Sequence, residues 1–93
     1  MSVRDRMQRA ELVAALGCDE GFVLWLEREE IVVVEGDVYG AAAIERARVS
    51  WNLHEMGVNE AGLEVVLDLL DRLSDERREH LRTIAWLQRQ LRR

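Results

Sequence analysis

The 93-residue sequence predicts a mainly α-helical fold that carries one small β-hairpin and ends in a long, narrow-striped helix. Three observations lead there. The chain has no proline, a residue that costs about 3 kcal/mol in a helix interior. Between Leu63 and Leu70, apolar residues recur at i, i+3, i+4 and i+7, the helical period. The stretch "IVVVEGDVY" places β-branched runs on both sides of Glu35-Gly36-Asp37, a hairpin signal.

Taken in order, "RAELVAALG" reads as a short helix with Leu12, Val13 and Leu16 apolar and Gly17 closing it. Gln8 and Arg9 are poor caps, so its start is left open. After a tight turn, Asp19 caps a second helix whose apolar surface is Phe22, Leu24, Trp25 and Leu26. The hairpin follows. From Ala41 to Met56 the pattern is helical again, with Ile44, Ala47 and Trp51 on one face and Gly57 at the end. Asn59 caps a fourth helix through Leu63, Val66, Leu67 and Leu70. Ser74 or Asp75 then starts a last helix to about Arg92. Its stripe is Leu81, Ile84, Leu87 and Leu91; Ile84 and Leu91, like His80 and Leu87, are seven apart, as in a short coiled-coil seam. Such a stripe needs a partner, most simply a second copy, so a homodimer through these residues is expected. Trp86 is read as lying beside the stripe and Trp51 as core.

Composition narrows the function. With 48% apolar and 33% charged residues, the chain is globular, and its size supports a single modest core. No apolar run approaches the ~20 residues of a membrane span, and "MSVRDRMQRAEL" lacks a signal peptide's apolar segment. The single cysteine, Cys18, excludes an internal disulfide and fits a reducing compartment, so a cytoplasmic location is expected. His54 and His80 lack partners at a metal-binding spacing, and Ser50 and Ser74 lack a paired base. The glycines Gly36 and Gly40 make no phosphate cradle. A catalytic site, a metal and a cofactor are therefore not expected.

Charge is the informative feature. Between Asp19 and Asp37 there are seven acidic residues, with Glu11 just upstream an eighth, against one arginine, Arg28. Residues 1–60 carry six arginines and twelve acids, whereas 61–93 carry seven and six. The basic character sits near the end, in Arg77, Arg78, Arg82, Arg89, Arg92 and Arg93.

Helix, tight turn, helix, hairpin, two helices and a terminal coil is an order that resembles the MerR-like winged helix-turn-helix. "ELVAALG", "LEREEIV" and "IERARVSWNLHEMGVNEAGLEVVL" resemble that family's first helix, second-helix end, and third and fourth helices. The resemblance covers roughly residues 9–91. It implies a winged-helix domain over 1–73, with the hairpin as a small β wing, and a C-terminal dimerisation helix over 74–93. MerR-type readers place basic side chains where this chain has Gly21 and Leu24, and an arginine ahead of the wing tyrosine, where Tyr39 follows Asp37 and Val38. Acids there repel phosphate and release no counterions, so a nucleic-acid partner is not expected.

Within that fold, "DEGFV", "GLEVVLDLLDRL" and "LRTIAWLQRQLRR" resemble the CbpM chaperone-modulator family. That resemblance implies a non-enzymatic regulator that holds the J domain of a DnaJ/CbpA-type co-chaperone and stops it stimulating a DnaK-type chaperone. Candidate contacts are Asp19, Glu20, Glu27 and Glu30, with Asp68 and Asp71 on the fourth helix as a second choice. Two other readings stand beside it. One is a MerR-like transcriptional regulator that reads DNA with Arg46, Arg48 or the basic terminal helix. The other is a dimeric adaptor with a different basic client.

Overall fold

A computed structural model describes residues 6–92; Arg93, counted above in the basic end, lies outside them. The elements are β1 (Arg6–Gln8), α1 (Arg9–Leu16), α2 (Glu20–Arg28), β2 (Val38–Gly40), α3 (Ala41–Glu55) and α4 (Glu60–Leu91). The fold is mainly helical with a small two-stranded antiparallel sheet and a long C-terminal helix. It divides into two compact units, one reaching Leu63 and the other starting at Glu64. None of the described helices is long and apolar enough to cross a membrane.

Unit 1 is built by its caps. The start of α1 is set by the Gln8 backbone N–H, which donates to Glu11 Oε1 at 3.2 Å. Gly17 ends the helix at φ 69°, a left-handed conformation that glycine adopts without a Cβ clash. Asp19 Oδ1 accepts from the Phe22 N–H at 2.8 Å and opens α2. Asn59 Oδ1 does the same for α4, accepting from the Gly62 N–H at 2.8 Å. Both sequence-predicted caps are therefore in place.

The core of unit 1 contains Leu12, Val23, Trp25, Leu26, Ile31, Val32, Tyr39, Ile44, Ala47 and Leu63, all buried. Buried Ser50 keeps its hydroxyl satisfied by donating to the Arg46 carbonyl at 2.8 Å. Trp51 is half-buried. It packs edge-on to Phe22, with ring centroids 5.0 Å apart, and Phe22 also meets Trp25 and His54.

Two expectations are corrected. The predicted hairpin is not formed between residues 31–34 and 38–40. Its turn exists, closed by reciprocal Glu35–Val38 backbone bonds of 3.2 Å with Gly36 at φ 67°. Beyond that bridge, however, β2 pairs with β1, in the register Arg6↔Gly40, Met7↔Tyr39 and Gln8↔Val38. The cause lies at the end of α2. Glu30 takes φ 58°, and the Ile31 and Val32 N–H groups both donate to the Leu26 carbonyl, at 2.9 and 3.2 Å. Ile31 and Val32 are then buried side by side. A strand alternates its faces, so two consecutive inward side chains cannot belong to one pleated, half-exposed strand.

The second correction concerns residues 73–75, where no helix boundary occurs. One 32-residue helix runs through them, about 48 Å long. Ser74 costs only a few tenths of a kcal/mol in a helix, and no glycine or proline follows Gly62 to stop it.

The burial contrast along α2 gives a direct stability test. Leu26, fully buried, should lose about 2–5 kcal/mol when replaced by alanine. Leu24, which is 40% exposed, should change stability by about 0.5 kcal/mol or less on the same substitution. Urea unfolding of the two variants measures the difference, and equal losses would contradict this core.

Candidate functional site

The predicted acidic residues fall into three structural roles. Asp19 spends its carboxylate on the cap of α2. Glu27 turns inward, where Arg9 meets it through Nε and Nη2 at 3.4 Å each and the Tyr39 hydroxyl donates to its Oε2. Only 18% of the Glu27 side chain remains exposed. Glu20 and Glu30 are exposed, and Glu29, Glu35 and Asp37 join them at the surface. These five carboxylates have no ion-pair partner among the described residues.

Sequence reasoning grouped Glu27 with the surface acids and left Glu29, Glu35 and Asp37 out of the contact set. The exposed residues of α2 are Glu20, Gly21, Leu24 and Arg28; Glu27, seven residues after Glu20, shares the Glu20 side of the helix and is set apart by the Arg9 and Tyr39 groups that cover it. Gly21 follows the cap of α2. A Cβ there would lie 3.2 Å from Asp19 Oδ1, so a small residue suits the cap. An open groove of about 740 Å³ is lined by Val32, Val33 and Val38 together with Glu30, Glu35, Arg6 and Arg46. Val33 is 73% exposed. Unit 1 thus exposes two apolar side chains, Leu24 and Val33, and five carboxylates without an ion-pair partner among the described residues.

The arginines proposed for DNA reading are occupied. Arg46 Nε donates to the Ile31 carbonyl at 2.5 Å, and Arg48 pairs with Glu45 at 2.6 Å. Burial pushes the Cys18 thiol up from its ordinary range, which disfavours the reactive thiolate.

In unit 2, Asp68 pairs with Arg72 one turn on, at 3.0 Å, and Asp71 is exposed. Leu81, Ile84, Leu87 and Leu91 are all exposed. Because the helix is continuous, their stripe extends backward through exposed Leu70 and Leu73. An alternation of three and four then runs Leu70, Leu73, Arg77, His80, Ile84, Leu87, Leu91, with Leu81, expected in the stripe, next to His80 and off that alternation. The expected break at residue 74 hid that extension. Trp86 does not lie beside the seam. Two residues beyond Ile84 at about 100° each, it projects about 160° away, on the opposite face.

Tyr39 makes the Glu27 network testable. Burial, then the hydrogen bond to Glu27, raises its pKa above the ordinary value, while Tyr39 and then Glu27 raise that of Arg9. The folded protein keeps the Tyr39 proton where the unfolded chain, above about pH 10, gives it up. Stability is therefore full below that pH and falls as pH rises through the raised value. Tyr39→Phe should cost about 1–3 kcal/mol at neutral pH, through the lost bond to a carboxylate. It should also flatten the alkaline loss, since Tyr39 is the only tyrosine. Thermal unfolding between about pH 8 and 11, with Cys18→Ser in both proteins to remove the thiol titration, measures it. An unchanged alkaline slope would contradict the network.

No protein-family model matches the chain, and neither a curated protein nor a solved structure matches it.

Proposed function

We propose that this chain is a CbpM-like regulator on a MerR-like scaffold. It holds the J domain of a DnaJ/CbpA-type co-chaperone and keeps it from stimulating a DnaK-type chaperone, without catalysis. The observation that carries the reading is the set of five exposed carboxylates of unit 1, Glu20, Glu29, Glu30, Glu35 and Asp37, with no ion-pair partner among the described residues. Leu24 and Val33 are exposed on the same unit. A J domain presents a basic helical face, and complementary charge speeds and selects such an encounter while the apolar side chains supply contact. In this reading the turn closed by Glu35 and Val38 serves as the wing. DNA reading through Arg46 or Arg48 is disfavoured because both are already engaged.

The α4 stripe is proposed to pair with a second copy. In a parallel pair Arg77 would face Arg77, a like-charge contact. In an antiparallel pair centred between residues 78 and 79, Arg77 faces His80, Leu73 faces Ile84 and Leu70 faces Leu87. From Leu70 to Leu87 the seam has the same polarity read in either direction, so the antiparallel pair matches these six positions. Burying one such side chain is worth roughly 1.5–3 kcal/mol. Ile84→Asp with Leu91→Asp should therefore give a monomer mass by light scattering, against a dimer for the unmutated chain. A monomer for the unmutated chain would end the dimer proposal.

Calorimetric titration with the organism's own J-domain protein tests the central reading. Glu20→Lys, Glu29→Lys and Glu30→Lys together should weaken binding and remove most of its salt dependence. Single exposed charge pairs are worth only about 0.2–1 kcal/mol, so no single reversal should abolish it. Asp19 and Glu27 are left intact because they hold the fold. Absence of heat with the unmutated chain would overturn the reading.

A further inference from the structure

The outer face of α4 carries a second set of unused groups. Residues 77–92 hold Arg77, Arg78, Arg82, Arg89 and Arg92 against one acid, Glu79. Arg82 and Arg89 are exposed and have no ion-pair partner among the described residues. Arg78 has a loose pairing with Asp75 at 3.7 Å. Trp86 stands four residues after Arg82 and three before Arg89, which puts all three on one helix face. Its side chain is 53% exposed. An indole costs free energy to leave in water, and this one sits among charges rather than on the apolar stripe.

We infer that the Arg78–Arg82–Trp86–Arg89 face of α4 binds single-stranded nucleic acid without sequence preference. Single strands combine the two chemistries this face offers, phosphates for the guanidinium groups and unstacked bases for the indole. An acidic protein surface fits less well. A tryptophan anchor in a protein interface is buried in a dry pocket behind an energetically neutral rim. Here the rim is arginine, and drying it would strand charge. A duplex fits less well too, because its bases are stacked on one another. The face points away from the apolar seam, so pairing of two copies through that seam leaves it open. This proposal is independent of the J-domain reading, which uses unit 1. It also differs from sequence-specific reading of duplex DNA, because it uses phosphates and unstacked bases without sequence preference. The chain's net charge of −5 opposes any polyanion, so the binding is weak and strongly salt-dependent.

The test is fluorescence anisotropy of a labelled oligothymidylate, about twelve nucleotides long, titrated with the full chain across a salt series. Three arginines on phosphates predict log K falling with log salt at a slope of about −2. Trp86→Ala should weaken binding roughly five- to hundred-fold, with the slope retained. Arg82→Gln with Arg89→Gln should reduce the slope to about −0.7. All three residues are exposed, and unchanged circular dichroism checks that the variants fold. A duplex of the same length should bind more weakly, and polyglutamate should compete poorly. No binding at about 50 mM salt, an unchanged affinity for Trp86→Ala, or equal binding of the duplex would overturn the proposal. Equal competition by polyglutamate would do the same and point to an acidic protein instead.

Discussion

Unit 1 depends on where the carboxylate of Glu27 goes. A half-buried carboxylate needs hydrogen-bonding partners within the fold. Glu27 meets that requirement with Arg9 from α1 and the hydroxyl of Tyr39 from β2. One side chain of α2 therefore ties together three elements that are distant in sequence. Tyr39, buried completely, fixes β2, and β2 can pair with β1 because the Tyr39 ring is held inward. The sheet, the first two helices and the outward face of α2 all follow from that single inward turn.

The same turn sorts the acids. With Glu27 inside and Asp19 used as a cap, the acidity left at the surface lies at the two ends of α2 and in the loop beyond it. A polyanion would meet repulsion there, while a basic protein face would meet uncompensated charge, with Leu24 and Val33 exposed on the same unit. Unit 2 has the opposite balance, with an apolar seam on one side and arginines on the other. The chain thus separates its interaction chemistry by unit.

Much of the fold was legible where the signal is local. Gly17, Asp19 and Asn59 mark helix ends because caps are satisfied within a few residues, and those positions agree with the structure. The sheet was not legible, because β1 is three residues, Arg-Met-Gln, with no β-branched side chain, and its partner is some thirty residues away. "IVVV" has high β propensity, but the core claimed Ile31 and Val32 together and overrode it. The boundary expected at residue 74 rested on serine's preference for caps, which is too weak to stop a helix alone. For the candidate site, composition announced the acidity. It could not distinguish Glu27, paired inside, from Glu29, two residues on and exposed.

The claim that the outward acidic face of unit 1 recognises a basic J domain is tested most directly by residue-resolved NMR. Titrating the isotope-labelled chain with an unlabelled DnaJ-type J domain should shift the amides of Glu20, Leu24, Glu29, Glu30 and Val33 together, along one saturating curve. Tyr39 and Leu26, both buried, should move little. Perturbations confined to residues 77–92, or no shifts at saturating J domain, would contradict the account.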